Sequence, residues 1–311
     1  MPGTDCDNLH SRRGWAVPEL PEVETVVRGL RPRVQGKLIQ RVGIRQAPTF
    51  GVIRGNLRSF RRALSGARIS RITRRAKYIL LDLEHPRRAG KSLTWVVHLG
   101  MTGQLYVCKP SAPRLKHTHL VVTLSSGEQL RYCDPRRFGK MLVVSRADLP
   151  AFFARLGREP FGLSLQCFSR LFAERRAPVK NVLLNQNLLS GVGNIYANEA
   201  LFVAGIHPAT PAGRLKQAQL KDLFRAVQMV LREAINGQGS TVSDYRTAEG
   251  VPGGYQNHLR VYDREGEPCP RCGARIKRLV LVGRSAHFCP RCQPSVRGLH
   301  KRKVRRLAGS G

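Results

Sequence analysis

The segment PELPEVET, residues 18–25, carries two prolines and three carboxylates within eight positions. A proline nitrogen that forms a free N-terminus is a secondary amine. Terminal amines titrate near about 7.7–8.0, against about 10.4 for lysine, so a far larger fraction is neutral at neutral pH. A neutral amine is a nucleophile that can form a covalent intermediate. Pro18 is therefore a candidate nucleophile, provided that its nitrogen is free.

Four of the eight cysteines form two Cys-x2-Cys pairs near the C-terminus, separated by sixteen residues. Two such pairs can place four thiolates in the tetrahedral arrangement that Zn²⁺ prefers, with bonds of about 2.3 Å. The predicted ligands are Cys269, Cys272, Cys289 and Cys292. Because thiolates fill all four positions, no position is left for water, and we expect a structural metal.

The charge balance indicates a polyanionic partner. The chain has 311 residues, with 54 lysines and arginines against 20 aspartates and glutamates, and a net charge of +34. The electrostatic field of so many positive charges favours nucleic acid as the partner, although a generic basic protein of the ribosome or the membrane surface is an alternative. No apolar run is long enough to span a bilayer, and residues 1–16 lack the apolar core of a signal peptide. The cysteines are typical of metal binding in a reducing compartment, so we expect a cytoplasmic protein.

The residues between the cysteine pairs predict a hairpin. Leu279–Val282 and His287–Phe288 are typical of strands, and 283–285 would form the tip. This ribbon would project Arg284 outward, which favours contact with DNA, although the sequence is equally compatible with an ordinary solvated arginine.

Other segments carry candidate ligand-binding residues. GVGNIY, residues 191–196, could bring helix N-terminal amides and Asn194 close to a phosphate, or could be only a turn. Lys77 precedes an apolar strand and is expected to be half-buried. DPRRFG, residues 134–139, is a tight basic loop that suits base contact or insertion into a base stack. His117 and His119 could be metal ligands, but no carboxylate or third histidine lies nearby in sequence, so phosphate contact or a structural role is expected.

Hydrophobic periodicity divides the chain into a β-rich and a helical part. An apolar face with helical spacing predicts a helix that starts near Pro21, and residues 38–145 are typical of strands. Short strands at this spacing suggest a β-sandwich. The predicted strands cover 78–83, 93–99, 104–107, 120–124, 129–132 and 141–144. The predicted helices cover 148–156, 164–175, 194–204 and 215–236. A glycine-rich loop, 237–257, and a disordered basic tail follow.

Six segments together resemble the bacterial formamidopyrimidine-DNA glycosylase family. They are PELPEVET, RRAKY, HLGMTG, DPRRFG, GVGNIYANEALF and GRSAHFCPRCQ, in order from Pro18 to about Gln293. The resemblance implies an α+β fold, in which an N-terminal β-sandwich with a catalytic helix precedes a helix–two-turns–helix domain with a zinc-finger β-hairpin. The implied bounds are 1–17 for an extension, 18–147 for the catalytic sandwich, 148–260 for the helical domain, 261–295 for the zinc finger and 296–311 for the tail.

The resemblance also implies a bifunctional DNA glycosylase and AP lyase of base excision repair. Such an enzyme excises 8-oxoguanine and formamidopyrimidines from double-stranded DNA, and then cleaves the strand by β,δ-elimination. Pro18 would form a Schiff base with the sugar, and Glu19 would be its acid/base partner. Lys77 would donate a proton in β-elimination, and Arg284 in δ-elimination.

Further residues would contact the DNA by the same resemblance. Extruding a base from the duplex costs a few kcal/mol of stacking and pairing. Met101, Arg136 and Phe138 would fill the space that the extruded base leaves. His117, Arg136 and Arg175 would contact DNA, although the family often has lysine where this chain has Arg175. One structural Zn²⁺, no small-molecule cofactor, no membrane and a monomeric protein are implied. The loop 237–257 would cover the flipped base.

Two departures from the family pattern stand out. Asn185 occupies a position where the family commonly has aspartate. More seriously, the nitrogen of Pro18 is in an amide bond with Val17, which removes the lone pair needed for attack. We expect that translation starts at Val17, through a GTG codon read as methionine, and that removal of this methionine exposes Pro18.

Two alternative functions remain open from the sequence. One is an endonuclease VIII-like glycosylase that prefers oxidised pyrimidines. The other is a non-catalytic DNA-binding protein that keeps the zinc hairpin but has lost its nucleophile through the N-terminal extension.

Overall fold

A computed structural model describes residues 17–44, 57–86, 92–240 and 253–295. The predicted extension up to residue 16, positions 241–252 of the predicted capping loop and the tail from residue 296 lie outside these residues. No helix among the described residues has both the length and the apolar character needed to cross a bilayer.

The first half of the chain forms a β-sandwich, as predicted. Its strands are β1 (Ile39–Ile44), β2 (Arg68–Arg75), β3 (Tyr78–Glu84), β4 (Leu93–His98), β5 (Gln104–Cys108), β6 (Thr118–Leu124), β7 (Gln129–Cys133) and β8 (Lys140–Ser145). One antiparallel sheet has the order β1-β6-β7-β5, and the other has the order β2-β3-β4-β8. Alternate residues of both sheets enter one hydrophobic core, which is the reason for the period-two burial of β3.

Helix α1 (Leu20–Val34) contributes its apolar face to the core of the sandwich. The valines and leucines spaced three and four apart are buried, and each such side chain stabilises the fold by about 1.5–3 kcal/mol. The carboxylate of Glu22 accepts a hydrogen bond from the Glu19 amide at 2.9 Å, which caps the helix N-terminus. The start of α1 is thereby fixed at the edge of the sandwich.

One prediction for this half is wrong, because residues 57–64 form a helix instead of a strand. Helix α2 (Leu57–Leu64) is rich in arginine and buries only Phe60 and Leu64, which lie one turn apart. Phe60 packs edge-on against Trp95, with ring centroids 6.1 Å apart. Strands β1 and β2 were not predicted individually, since only two residues of β1 are buried and arginines occupy half of the positions of β2.

The second half is helical. Its helices are α3 (Leu149–Phe152), α4 (Leu165–Arg170), α5 (Val179–Leu184), α6 (Asn194–Val203) and α7 (Gln217–Asn236). Helices α6 and α7 occupy nearly their predicted positions, whereas α3 and α4 are shorter than predicted and α5 was not predicted. Their apolar side chains form a second core, separate from that of the sandwich.

The predicted hairpin is present as β9 (Lys277–Leu281) and β10 (Arg284–Phe288). The predicted tip at 283–285 is wrong, because the turn consists of Val282 and Gly283 alone. Both residues have positive φ, 46° and 70°, as two-residue hairpin turns of type I′ require. Arg284 therefore starts β10 and pairs with Leu281.

Candidate active site and metal centre

The N-terminus of α1 meets the N-terminus of α6. The buried carboxylate of Glu19 accepts hydrogen bonds from the amides of Gly193 at 2.7 Å and Ile195 at 2.9 Å. A Cβ at Gly193 would lie 2.4 Å from the Glu19 carboxyl carbon, so only glycine allows this approach. The amides that the sequence suggested for a phosphate are thus bound to a carboxylate of the chain itself. This anion is the one that the dipole of α6 stabilises.

Two buried carboxyl groups lie together at this junction. Burial raises the pKa of Glu19, against the charge of Lys77 and the backbone amides that it accepts from. Burial and the charge of Glu19 raise the pKa of Glu22 to about 7. Glu22 also accepts hydrogen bonds from the Tyr196 hydroxyl and, at 2.8 Å, from the Ser240 amide. The pair can therefore hold a proton near neutral pH, as a general acid must.

Lys77 lies in the two-residue turn between β2 and β3 and is half-buried, as predicted. Burial lowers the pKa of Lys77, while the charges of Glu19 and Glu22 raise it and the charge of Arg284 lowers it further. An amine in this setting loses its proton more readily than a solvated lysine, so it can exchange protons with a ligand.

A cavity of about 480 Å³ brings these groups together. Four of the predicted site residues line it: Glu19, Lys77, Asn194 and Arg284. Val17 also lines it, and Pro18 is buried between Val17 and Glu19. The start of α1, the turn after β2, the start of α6 and the hairpin therefore surround one volume.

His98 and Lys180 belong to this region, although the sequence did not single them out. His98 lines the cavity, and its Nδ1 accepts from the Gly100 amide at 3.1 Å, which leaves the proton on Nε2. Burial and, to a lesser extent, the charges of Lys77 and Lys140 lower the pKa of His98 to about 4, so the ring is neutral. Lys180 is buried and donates to the backbone oxygen of Ser285 in the hairpin. Burial lowers the pKa of Lys180 to about 7.

Sequence signals for these two residues existed. His98 lies in HLGMTG, from which only Met101 was chosen, and Lys180 lies in a short helix whose other residues, apart from Asn181, are apolar. Asn185, the unusual residue, also lines the cavity. Its Oδ1 accepts from the Asn187 amide at 3.0 Å, so it closes the turn after α5.

Met101 and the segment DPRRFG lie on two adjoining loops. Thr102 Oγ1 donates to Asp134 Oδ1 at 2.5 Å and accepts from the Arg136 amide at 3.2 Å. The guanidinium of Arg136 lies over the Phe138 ring, 4.7 Å from its centroid, and Phe138 is 50% exposed. A half-buried Met101, an arginine stacked on a ring and the exposed ring itself thus lie on the same pair of loops.

Two predicted DNA contacts, His117 and Arg175, lie outside the cavity. The backbone oxygen of His117 accepts from the Asp134 amide at 3.0 Å, so His117 lies next to the same loop. Arg175 is exposed, and its Nε donates to the Leu171 oxygen at 2.8 Å. Neither is among the described residues that line the cavity.

The four predicted cysteine ligands form one cluster, with all Sγ atoms within 4.8 Å of one another. Two of the Sγ–Sγ distances are 3.9 Å, for Cys269 and Cys292, and 3.4 Å, for Cys272 and Cys289. Bonds of about 2.3 Å in a tetrahedron give sulfur separations of about 3.8 Å, so the donor set fits a metal ion. The amides of Arg271 and Cys292 point at the sulfurs of Cys269 and Cys289, both at 3.4 Å.

Comparisons with known proteins agree with this architecture. The family model described as formamidopyrimidine-DNA glycosylase N-terminal domain matches residues 17–141, and the model of its H2TH domain matches residues 156–246. A third model, described as a zinc finger found in FPG and IleRS, matches residues 266–294.

Individual relatives match along most of their length. The chain is 42% identical over 279 residues to a formamidopyrimidine-DNA glycosylase of Chloroflexus aurantiacus, covering 89% of this chain and 98% of that protein. It is 44% identical over 287 residues to one of Symbiobacterium thermophilum, covering 91% of each. A Lactococcus lactis FPG variant in complex with DNA containing Fapy-dG has a TM-score of 0.82 and 33% identity, covering 89% of this chain and 100% of that one. The chain therefore belongs to the formamidopyrimidine-DNA glycosylase family.

Proposed function

We propose that the chain is a bifunctional DNA glycosylase and AP lyase of base excision repair that removes oxidised purines from double-stranded DNA. The observation that supports this most strongly is that Glu19, Lys77 and Arg284 line one cavity beside Pro18. The Lactococcus lactis relatives are in complex with DNA that contains Fapy-dG or an abasic site, which is the type of substrate proposed here.

In the first step the free amine of Pro18 attacks C1′ of the flipped nucleotide. The N–C1′ bond forms while the bond from C1′ to the base breaks, and the departing base takes a proton. Glu19 is the proposed proton-transfer partner, since its carboxyl group is buried with a raised pKa and is held by two amides. The attached nitrogen then loses its proton, its lone pair breaks the bond from C1′ to the ring oxygen O4′, and O4′ takes up a proton. The product is a positively charged iminium that links the chain to the opened sugar.

In the second step the iminium acidifies the proton on C2′. This proton passes to water, the bond from C3′ to oxygen breaks, and the leaving phosphate oxygen takes a proton, for which Lys77 is the proposed donor. A second elimination removes the proton on C4′, again to water, and breaks the bond from C5′ to oxygen, with Arg284 as the proposed proton donor to the leaving phosphate oxygen. Arg284 is on a short hairpin, and the buried Lys180 bonded to Ser285 holds the strand that begins with it.

Met101, Arg136 and Phe138 are proposed to fill the space of the extruded base. The exposed ring of Phe138, stacked under the Arg136 guanidinium, supports insertion into a base stack. His117, Arg175 and Asn194 are proposed DNA contacts. Asn194 is favoured by its place on the cavity wall, whereas Arg175 is favoured only by its charge and exposure.

We also propose that the cysteine cluster binds Zn²⁺. Cys269, Cys272, Cys289 and Cys292 would hold the ion with thiolates, and a closed four-thiolate site supplies structural rigidity instead of an activated water. Only a small cluster of buried apolar residues surrounds the cysteines, so the hairpin would depend on the metal for its fold.

The proposal depends on the state of Pro18. In the full chain its nitrogen is acylated by Val17, and Val17 also lines the cavity. Borohydride trapping on an abasic-site duplex should therefore give a covalent adduct with a chain that begins at Pro18, and none with a chain that begins at Met1. If neither form is trapped while both bind the duplex, the non-catalytic DNA-binding function is the correct one.

A further inference from the structure

A chain of alternating charges connects α1, β2 and the segment that leads into the helical half. Glu24 on α1 accepts from Arg28 and from Arg74 of β2, both at 2.9 Å. Arg74 also donates to Glu159 at 2.8 Å, and Glu159 lies 3.7 Å from Arg75. Glu159 precedes the short helical turn Pro160–Gly162 in the segment that leads into the helical half.

The inner members of this chain are largely removed from water. The side chain of Arg74 is 9% exposed, that of Glu159 is 15% exposed and that of Glu24 is 18% exposed. Removing charges from water is costly, and buried ion pairs often contribute little net stability. Their arrangement is therefore better explained by what they hold in place.

What they hold is Ala76, the residue directly before Lys77. Ala76 has a φ of 52°, in the left-handed region that favours glycine and is unfavourable for an alanine. Glu159 Oε1 accepts from the Ala76 amide at 2.5 Å, and Arg74 Nη1 donates to the Ala76 oxygen at 3.0 Å. Both polar backbone atoms of this residue are thus bound by charged side chains.

The turn has little freedom to move against the helical half. Arg75 Nη2 donates to the Gly157 oxygen at 3.0 Å, so a second bond joins the same turn to the segment around Glu159. Strained backbone persists where the surroundings over-determine it, and such positions concentrate at functional sites. In this turn the strained residue precedes the amine that enters the cavity.

We propose that Glu159 and Arg74 are positioning residues for Lys77, which act by holding Ala76 in its left-handed conformation so that the amine points into the cavity. The inference rests on the proposed function only for the role of that amine in strand cleavage. The placement of the amine can be measured without any reaction.

The first measurement is the titration of Lys77 in the full chain. Isotope-labelled methyl groups on the lysines report each pKa by NMR, and Lys77→Arg assigns the signal. The pKa of Lys77 should lie below that of an ordinary lysine, since burial and the charge of Arg284 lower it by more than the charges of Glu19 and Glu22 raise it. In Glu159→Ala the amine should move to solvent and its pKa should rise toward the ordinary value.

The matched control breaks another arginine–glutamate ion pair, which lies outside the site. Glu128 and Arg33 are 2.5 Å apart, and both side chains are 30% exposed. Glu128→Ala should leave the Lys77 titration unchanged. If the Glu159→Ala protein shows a cooperative thermal unfolding transition and the pKa of its Lys77 is unchanged, the proposal is overturned.

A second variant separates positioning from general stability. Glycine adopts positive φ without the penalty of an alanine, so Ala76→Gly should restore the turn in the Glu159→Ala background, although the ion pairs stay broken. In chains that begin at Pro18, Glu159→Ala should slow cleavage of an abasic-site duplex by about 10- to 100-fold, as expected for a misplaced group. The double variant should recover most of that loss.

Failure to rescue cleavage in a folded double variant would contradict positioning through Ala76. If the parent form beginning at Pro18 does not cleave abasic DNA at all, the proposed lyase function fails, and the titration of Lys77 still decides the positioning role. In Glu159→Gln, which keeps an oxygen for the Ala76 amide, the pKa of Lys77 should lie between those of the parent and of Glu159→Ala. A Glu159→Gln titration that shifts as far as that of Glu159→Ala would contradict the role of this hydrogen bond.

Discussion

The carboxylate of Glu19 lies 2.7 Å from the amide nitrogen of Gly193, although the two residues are 174 positions apart. This bond joins the first turn of the helix in the β-sandwich to the first turn of a helix in the other half. The site is consequently built at the junction of two separately packed cores, and each core fixes one side of it.

Glu19→Gln should abolish most base excision, because an amide cannot exchange the proton that the carboxyl group can. In chains that begin at Pro18, single-turnover release of 8-oxoguanine should slow by about 100- to 10,000-fold. Cleavage of a pre-formed abasic site should be affected much less, since no base has to leave. Equal losses on both substrates would mean that Glu19 acts on strand cleavage instead.

Gly193→Ala should displace Glu19, since the added Cβ would lie 2.4 Å from its carboxyl carbon. We expect a loss of about 1–3 kcal/mol in the free energy of unfolding, measured by denaturant titration, together with slower base excision. Gly43→Ala is the matched control, because its Cβ would meet only the Val121 oxygen at 3.6 Å. A Gly193→Ala protein as active and as stable as this control would contradict the close approach.

The raised pKa of Glu22 predicts a pH dependence of stability. The folded protein binds this proton up to about pH 7, whereas an unfolded glutamate releases it near about 4.5, so stability should fall as the pH rises through this window. The free energy of unfolding should fall by about 3 kcal/mol at most, which follows from the difference between the folded and unfolded pKa values of Glu22. Denaturant titrations across the window should show this slope in the parent protein and a smaller one in Glu22→Gln, and identical slopes would refute the assignment.

Loss of one thiolate should release the metal. Cys289→Ser is expected to reduce bound zinc from about one ion per chain to almost none in elemental analysis, because four ligands complete the site. The hairpin should then become sensitive to proteases, since its apolar core is small. Cys167→Ser, on a half-buried cysteine outside the cluster, should keep both the metal and the resistance. Full zinc content in Cys289→Ser would exclude the four-cysteine site.

Local sequence patterns predicted those features that depend on neighbours in the chain. The apolar face of α1 follows from residues three and four apart, and the four-cysteine cluster follows from the spacing of Cys269, Cys272, Cys289 and Cys292. The helix at Leu57–Leu64 was missed because arginines dilute its apolar pattern to two buried positions.

Contacts between distant segments could not be predicted in the same way. Nothing near Gly193 in sequence indicates that its amide receives Glu19, and nothing near Glu159 indicates that it binds the Ala76 amide. The buried position of Lys180 also depends on the hairpin, 105 residues later, that supplies its acceptor. Such groups are identified only when the two cores and the hairpin are assembled.

The most direct test of the account identifies the atom that becomes bonded to DNA. A chain that begins at Pro18 should be trapped with borohydride on an abasic-site duplex, digested and analysed by mass spectrometry. The sugar remnant should be on the N-terminal peptide, at the nitrogen of Pro18. A remnant on the peptide that contains Lys77, or efficient trapping of a chain that retains Met1 at its N-terminus, would contradict it.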